Sequence, residues 1–303
     1  MKPIVRMMLF AAALLGGGAA QAQLTIEITK GVEGALPIAV VPFATAAPTP
    51  ENVAEVVAAD LGRSGRLAPL SPQEFLDRPY DFSQVNFANW RALQVDYLVL
   101  GQVQPQGAGF TVQFQLVDVF QSNRLLSYTF DVQPQALRKV AHQISDLVYE
   151  RLTGEKGIFS TRIAYISAAR QTGAPPSPGQ AGGGVTTTYT LAVADYDGYN
   201  PQVVLRSTAP IMSPAWSPDG SLLAYVTFEK RKAQIVAQNL YSGERFTVAD
   251  HPGINGAPAW SPDGRRMAFT LSRDGNPEIY LYDLASRNLT RLTTNSAIDT
   301  EPS

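Results

Sequence analysis

The chain contains no cysteine among its 303 residues. Disulfides, thiolate metal sites and lipid attachment to a cysteine are therefore excluded. Histidine is scarce as well, because only His142 and His251 are present, so imidazole-based catalysis has few candidates. Basic residues do not outnumber acidic ones, with 24 Lys and Arg against 26 Asp and Glu. This balance argues against a nucleic-acid partner.

The N-terminus has the pattern of a cleavable signal peptide. Lys2 and Arg6 precede the apolar run Met7–Leu15, and small residues follow up to Ala20-Gln21-Ala22. The run is far shorter than the ~20 residues that a membrane-spanning helix needs. We therefore expect residues 1–22 to be removed during export. Without the two basic residues of this leader, 22 basic residues remain against 26 acidic ones, a formal charge of −4.

The mature sequence, from Gln23 onward, has the length and composition of two domains. Hydrophobic residues make up 45% and charged residues 17%, which is enough apolar material for packed cores. Residues 23–157 mix strand and helix patterns. The predicted strands are 24–28, 37–43, 95–104, 110–118 and 125–132, and the predicted helices begin near Thr49, Ser71, Asn86 and Leu137. The sequence therefore predicts an N-terminal α/β domain whose last three strands form antiparallel hairpins.

The last predicted helix of this domain carries one of the two histidines. Its apolar residues recur with helical spacing from Leu137 to Leu152, and glycines at 154 and 157 end it. His142 lies off the apolar stripe, so we expect a solvated side chain without a metal-binding or catalytic role. Trp90 is expected in the core. We place the domain boundary at Gly157.

Residues 158–303 contain an internal repeat. The motif Pro-Ala-Trp-Ser-Pro-Asp-Gly occurs at 214–220 and again at 258–264, an interval of 44 residues. Strand patterns separated by tight turns follow each copy of the motif. Four short strands in about 40–45 residues are typical of a β-propeller blade. The second domain is therefore predicted to be an all-β propeller.

Several conspicuous residues of the repeat have structural interpretations. Asp219 and Asp263 are expected to serve the Ser-Pro-Asp-Gly turns, because Asp stabilises such turns through its own side chain. The tryptophans at 216 and 260 are expected to pack between blades. The charged run 229–232 is expected to be a solvated hairpin tip.

An insertion interrupts the earliest unit of the repeat. Residues 164–166 match 224–226 at an interval of 60, whereas Asp195 matches Asn239 at an interval of 44. The additional residues correspond to the Gly/Pro/Ser-rich stretch 173–184. We expect this stretch to be a mobile hairpin extension without a core of its own.

These residues together resemble the TolB family of periplasmic proteins of the Tol–Pal system. The resemblance runs from the mature N-terminus to the end of the chain. It is carried by the segments 37–43, 161–165, 195–200, 212–220 and 255–258, in this order. It implies a six-bladed propeller after the α/β domain, with about three blades present here. It also implies a periplasmic location, no cofactor, and contact with membranes through partner proteins only.

The resemblance further implies two protein partners and no catalysis. The lipoprotein Pal would bind at one mouth of the propeller, on loops that precede the Pro-x-Trp elements. The predicted contacts are Ile254, Asn255, Gly256, Ala257, Thr300 and Glu301. Ile254 stands where the family usually has histidine, and a simple tight turn is the alternative interpretation of Asn255-Gly256. The resemblance also implies a role in maintaining the outer membrane and in drawing it inward during cell division.

The start of the mature chain is predicted to contact the second partner, TolA. Leu24, Ile26 and Ile28 form one apolar edge that can pair with the protein's own surface or with a partner's sheet. A permanently paired edge strand is the alternative, since alternation alone does not distinguish the two. If the segment is a switch, Pal and TolA must alter each other's affinity reciprocally. The predicted switch segment comprises Gln23, Leu24, Thr25, Ile26, Glu27 and Ile28.

Enzymatic functions are the main alternatives. Propellers of this repeat class also cap serine peptidases, but the sequence has no Gly-x-Ser-x-Gly nucleophile elbow. A metal-dependent hydrolase would need acids such as Asp299 and Glu301 to converge on a cation. His251 is expected to be a polar loop residue. We therefore predict neither catalytic nor metal-binding residues.

The number of repeat units also bears on whether the sequence is part of a longer protein. Three blades and three residues of a fourth would leave open sheet edges. We expect the sequence to be part of a longer protein and to aggregate by itself.

Overall fold

A short apolar strand covered on both faces lies at the centre of the N-terminal part. In the computed structural model, which describes residues 34–172 and 185–303, strand β1 comprises Leu36–Val40. Ile38 and Val40 face one hydrophobic cluster, whereas Ala39 faces another. Such a strand needs apolar residues at every position, which is what the sequence supplies.

Five further strands extend this sheet, and its last three form the predicted antiparallel meander. The order is β3-β1-β4-β5-β6, with β2 also paired to β4; β1 runs parallel to β3 and β4. The strands are β2 (Ala44–Thr45), β3 (Leu67–Pro69), β4 (Tyr97–Gln106), β5 (Gly109–Asp118) and β6 (Asn123–Val132).

Three α-helices cover the two faces of the sheet. Helices α1 and α3 pack on the face that carries Ile38, and α2 buries Trp90 on the other face, as predicted. The helices are α1 (Val53–Arg63), α2 (Phe87–Ala92) and α3 (Leu137–Thr153), and 3₁₀ turns lie at Pro72–Glu74, Phe82–Gln84 and Pro134–Ala136. None of the helices in these described ranges is both long and apolar enough to cross a membrane.

The start of α1 differs from the sequence prediction. Asn52 is the N-cap, since its side chain accepts a hydrogen bond from the Glu55 amide at 3.4 Å. Thr49 instead donates its hydroxyl to the carbonyl of Glu51 at 2.8 Å. Both residue types cap helices well, so the sequence pattern alone did not separate them.

The predicted solvated position of His142 is wrong. His142 is 2% exposed, and its Nδ1 lies 2.7 Å from a carboxylate oxygen of Asp60 in α1. The ring of Tyr196, from the following part of the chain, packs edge-on against it with a centroid distance of 5.5 Å. The periodicity of α3 identifies only the stripe that faces the sheet. The burial of His142 comes from residues far away in sequence.

The end of α3 and the connection after it agree with the glycine signals. Gly154 has φ of +77°, and its amide donates to the Glu150 carbonyl at 2.9 Å. A Cβ atom on Gly157 would lie 2.6 Å from the Cα of Asp146, so this glycine permits a close backbone approach. Asp146 also accepts hydrogen bonds from the amides of Phe159 and Ser160 at 2.8 and 3.1 Å. The connection is therefore fastened to α3.

The remainder of the chain forms three successive antiparallel sheets, and the predicted propeller blades are confirmed. The first sheet has three strands and the next two have four each. The strands are β7 (Arg162–Thr172), β8 (Val185–Asp195) and β9 (Gln202–Ser207); β10 (Ile211–Trp216), β11 (Leu222–Thr227), β12 (Gln234–Asn239) and β13 (Arg245–Ala249); β14 (Asn255–Trp260), β15 (Arg266–Leu271), β16 (Glu278–Asp283) and β17 (Leu289–Arg291).

Apolar clusters join neighbouring sheets. One cluster includes Leu191 of the first sheet and Tyr225 of the second, and another includes Ala224 of the second and Phe269 of the third. The indole of Trp260 donates to the carbonyl of Ala215 across the second interface at 3.2 Å. Across the described residues, these sheets follow one another without closing a ring. The predicted insertion at 173–184 lies outside the described residues, but β7 and β8 pair up to Thr172 and Val185 on either side of it.

Candidate protein-binding face

Strands β10 and β14, the first strands of the second and third sheets, share an irregularity near their beginnings, and we call them the inner strands. Their pairing registers shift between Met212 and Ala215 and between Gly256 and Ala259. Ser213 and Ala257, in these bulges, have φ of +49° and +48°. Left-handed backbone is unfavourable for residues with a Cβ by about 1–2 kcal/mol. Because the same unfavourable backbone occurs at the same place in two repeats, it is a feature of the fold rather than of one loop.

The same backbone conformation recurs one interval later. Glu301 has φ of +58°, and it stands 44 residues after Ala257, which itself stands 44 residues after Ser213. A proline follows each of the three residues. Proline disfavours right-handed helical backbone in the residue before it and supplies no amide to the strand ladder. The repeat therefore places a left-handed residue before a proline near the start of β10 and of β14, and again at Glu301.

A cavity of about 370 Å³ opens at this end of the second and third sheets. All six residues predicted to contact a partner line it: Ile254, Asn255, Gly256, Ala257, Thr300 and Glu301. The cavity has other lining residues that were not predicted from the sequence, among them Met212, Ser213, Phe228, Lys232 and Thr270. The repeat could have identified Met212 and Ser213, because they lie 44 residues before Gly256 and Ala257 and occupy the same place in the repeat. We call the residues that line this cavity the inner-strand face.

Asn255 organises the loop beside the cavity and is itself 1% exposed. Its side-chain amide donates to the carbonyl of His251 at 2.7 Å, and its side-chain oxygen accepts from the amide of His251 at 2.9 Å. Asn255 and Gly256 pair with Leu271 and Thr270 as the first residues of β14. The tight-turn interpretation of Asn255-Gly256 is therefore wrong, and the role of Asn255 is to fix the loop.

The rim of the inner-strand face is apolar and partly exposed. Ile254 is 49% exposed and Met212 is 51% exposed. The amide of Ile254 donates to the hydroxyl of Ser272 at 2.7 Å, which holds the backbone in place while the side chain projects. Thr300 and Glu301 are exposed at the edge of the same cavity. Exposed apolar residues around a concave surface are typical of protein-interaction sites.

The aspartates of the repeated turns serve the turns, as predicted. Asp219 accepts from the hydroxyl of Ser217 at 2.6 Å and from the amide of Ser221 at 3.0 Å. The Ser217 hydroxyl, followed by the hydroxyl and amide of Ser221, lowers the pKa of Asp219 to about 2. Asp263 accepts from Ser261 in the same way at 2.6 Å. These turns follow β10 and β14, at the opposite end of each strand from the bulges.

A second polar site lies where α1 and α3 meet the turn after β8. Asp60 is fully buried and accepts hydrogen bonds from the hydroxyls of Ser145 at 2.8 Å and Tyr196 at 2.6 Å. Burial, and then the neighbouring Asp60 carboxylate, raises the pKa of Tyr196 far above its usual value. We call Asp60, Ser145 and Tyr196, together with His142 and Asp197, the junction cluster.

Asp197 connects the junction cluster to α3. Its carboxylate accepts from the guanidinium of Arg138 and from the amide of Tyr199, the latter at 3.0 Å. Burial acts to raise the pKa of Asp197, but the Tyr199 amide and the Arg138 guanidinium outweigh it and leave the pKa below its ordinary value. Asp197 is therefore an ionised carboxylate whose side chain is only 2% exposed.

The junction cluster does not have the geometry of a serine hydrolase. In a catalytic triad the serine hydroxyl donates to the imidazole, and the carboxylate contacts the far side of that ring. Here the hydroxyl of Ser145 and Nδ1 of His142 both contact the same carboxylate oxygen of Asp60. Neither Asp299 nor Glu301 belongs to the His/Asp/Glu group that the described residues bring within reach of one metal ion.

The segment predicted to contact TolA lies outside the described residues. This concerns the whole set Gln23, Leu24, Thr25, Ile26, Glu27 and Ile28. Its pairing, fixed or exchangeable, stays a prediction.

The fold and the inner-strand face together define a protein with an α/β domain followed by β-propeller blades. The family model described as TolB amino-terminal domain matches residues 24–125, and the model described as TolB beta propeller domain matches residues 149–303. The chain belongs to the TolB family.

Relatives and a solved structure agree with this assignment. The chain is 50% identical over 238 residues to the Tol-Pal system protein TolB of Nitrosococcus oceani, covering 78% of this chain and 52% of the relative. It is 48% identical over 244 residues to that of Methylococcus capsulatus, covering 80% and 55%. The crystal structure of TolB from Acinetobacter baumannii matches with a TM-score of 0.75 at 40% identity, covering 90% of this chain and 64% of that one. The chain spans about half the length of the curated relatives it matches.

Proposed function

We propose that the chain is a periplasmic protein-binding component of the Tol–Pal system. The names of its relatives support membership of this system. The signal-peptide pattern of residues 1–22 supports export. In this proposal the N-terminal domain, up to Gly157, carries the TolA site and the propeller blades carry the Pal site. In this proposal the chain maintains the outer membrane and supports its constriction at cell division, and it catalyses no reaction.

The proposed Pal site is the inner-strand face. The observation that carries this proposal is the convergence of all six residues chosen from the sequence on one cavity. Its exposed apolar rim at Ile254 and Met212 offers area for burial, and Glu301 and Lys232 offer charges of both signs. Burial of apolar rim residues supplies affinity, while the charges favour one orientation of the partner.

Binding of soluble Pal to the mature chain, measured by calorimetry, tests this site. Ala257→Trp places a large side chain at the cavity, at a position whose φ of +48° is already unfavourable for a residue with a Cβ, so the variant is first checked for native folding by circular dichroism. We expect at least a tenfold loss of affinity, about 1.4 kcal/mol. Glu244→Trp is the matched control, because Glu244 is exposed in the turn between β12 and β13, away from the cavity. Unchanged affinity in a folded Ala257→Trp variant would contradict the proposal.

The proposed TolA site is the switch segment Gln23–Ile28. Its alternating apolar residues support strand addition to a partner's sheet. Deleting residues 23–30 should abolish TolA binding and leave most Pal binding intact. Saturating Pal should change the TolA affinity of the undeleted chain, because coupling between two sites is reciprocal. TolA affinity that responds to neither the deletion nor Pal would exclude the switch.

A further inference from the structure

Within the described ranges, the junction cluster and the neighbouring Asp195 together provide a set of side chains with the composition of a transition-metal site. One ring nitrogen of His142 and one carboxylate oxygen each of Asp195 and Asp197 lie within 4.8 Å of one another. We propose that these three residues bind a divalent transition-metal cation of the zinc type. This inference is independent of the Pal and TolA proposals.

The hydrogen bonding of His142 leaves one nitrogen for a ligand. Nδ1 lies 2.7 Å from Asp60, whereas Nε2 is buried and has no hydrogen-bond partner in the described part of the chain. A buried polar atom without a partner is unfavourable, and native structures nearly always supply one. In metalloproteins a histidine ligand commonly donates its other ring N–H to a carboxylate, which fixes the tautomer and orients the ring. Asp60 occupies that position for His142.

The surroundings of Asp60 show that this orientation is firmly set. The hydroxyls of Ser145 and Tyr196 both donate to its carboxylate, at 2.8 and 2.6 Å. Asp60 itself is fully buried. The carboxylate that positions His142 is therefore held by α3 on one side and by the turn after β8 on the other.

The two other ligands come from the end of β8 and the turn that follows it. Asp197 is oriented by Arg138 and by the amide of Tyr199, in the way that ligating carboxylates are usually held by neighbouring donors. Asp195 lies at the last position of β8, paired with Arg162 in the register of the sheet. Among the residues that the structure describes, no basic nitrogen lies within 4.0 Å of the Asp195 carboxylate. It is thus available to a cation.

The donor set favours zinc over calcium or magnesium. Imidazole suits zinc, copper, iron and nickel, whereas calcium takes six to eight oxygen ligands. Three protein ligands leave a fourth tetrahedral position for water. A cavity of about 260 Å³, lined by His142 and Asp195 as well as the exposed Lys139 and Arg162, gives solvent access. Lys139 and Arg162 beside this cavity reduce the attraction of a cation, and so do Arg138 and Arg63, which both form ion pairs with Asp197. The site should therefore hold only metals that bind imidazole well.

Zinc chloride titrated into the metal-stripped mature chain tests the proposal. We expect one bound ion per chain by calorimetry, and a loss of affinity of more than tenfold in both Asp195→Asn and His142→Gln. Asp299→Asn and His251→Gln are the matched controls and should retain the affinity of the parent. Asp195→Asn changes a partly exposed residue, so the test remains decisive if the buried His142→Gln variant does not fold.

The two histidines permit a second, direct measurement. Imidazole nitrogen NMR gives two sets of signals, and His251→Gln assigns them. Zinc should shift Nε2 of His142 and leave His251 unchanged, and X-ray absorption should give N/O ligands at about 2.0–2.2 Å with no sulfur. Zinc binding that persists unchanged in Asp195→Asn, or that shifts only His251, would overturn the site. The site would also be overturned if neither the parent chain nor the two control variants bound zinc.

Discussion

The hydroxyl of Tyr196 donates to the buried carboxylate of Asp60 at 2.6 Å and so joins the turn after β8 to helix α1. These two residues are 136 positions apart in the chain. Tyr196→Phe removes this bond, and also the hydrogen bond that Arg63 donates to the Tyr196 hydroxyl at 3.4 Å, and leaves the buried Asp60 carboxylate with one donor fewer. Hydrogen bonds to charged groups contribute about 1.5–3 kcal/mol, so we expect a loss of that size in the free energy of unfolding by urea. Tyr241→Phe, at a side chain that is 78% exposed, is the control and should be neutral.

The same tyrosine makes stability depend on alkaline pH. Its pKa in the folded chain is raised above the ordinary value of 10.0, first by burial and then by Asp60. A group with a raised folded pKa contributes stability below its unfolded pKa, and this contribution is lost as pH rises above about 10. The parent chain should therefore lose stability more steeply than Tyr196→Phe above that pH. Equal slopes in the two chains would contradict the assignment.

The Ser217-to-Asp219 turn gives a prediction at acid pH. The hydroxyl of Ser217 is the largest cause that lowers the pKa of Asp219 from 3.8 to about 2. A lowered folded pKa contributes stability above the unfolded pKa and loses it as pH falls from about 4 towards 2. Carboxyl NMR should show Asp219 titrating near 2 in the parent and clearly higher in Ser217→Ala. An ordinary titration of Asp219 in the parent would show that the turn does not hold it.

The indole of Trp260 should stabilise the interface between the second and third sheets. Trp260→Phe removes its hydrogen bond to Ala215, and Trp216→Phe makes the same change of size one repeat earlier. We expect Trp260→Phe to be more destabilising, by about 0.5–1.5 kcal/mol, because a backbone carbonyl loses its donor. Urea unfolding of the two variants gives the comparison. A larger effect at Trp216 would mean that its other contacts, including the Arg162 guanidinium 4.8 Å from its ring centroid, outweigh this hydrogen bond.

The close approach at Gly157 should not tolerate a side chain. Gly157→Ala places a Cβ 2.6 Å from the Cα of Asp146, which is backbone and has little room to move. Overpacking of this kind costs about 1–3 kcal/mol. Lys156→Ala, at the exposed neighbouring residue, should stay within about 0.5 kcal/mol of the parent. Thermal unfolding of both variants gives the comparison. A loss of stability in Gly157→Ala alone indicates a steric conflict, whereas a loss in both indicates that the segment after α3 is sensitive to any substitution.

Short-range patterns in the sequence predicted most of the fold. The uninterrupted apolar run at 37–43 predicted the buried strand β1, and the spacing of apolar residues in 137–152 predicted α3. The interval of 44 residues predicted the blades, whereas the contacts at Ile254–Ala257 were predicted from the family resemblance. These signals are local, since a strand or a helix records in its own sequence which face is buried.

The junction cluster could not be found in this way. His142 and Asp60 are 82 positions apart, and the pattern of α3 shows only the face that packs on the sheet. The burial of His142 requires α1 and the turn at Tyr196 to come together on it, which is a property of the tertiary structure. Met212 is different, because extending the repeat back by one interval from Gly256 would have identified it.

The turned backbone at Ser213, Ala257 and Glu301 bears on how the inner-strand face can change during evolution. Its contour is set by main-chain geometry and by the prolines that follow, rather than by the side chains at these three positions. Side chains there can drift while the contour persists. Exchanging a proline, in contrast, would add an amide donor and release the residue before it. The inner-strand face can therefore change in side-chain composition while the main chain that shapes it stays the same.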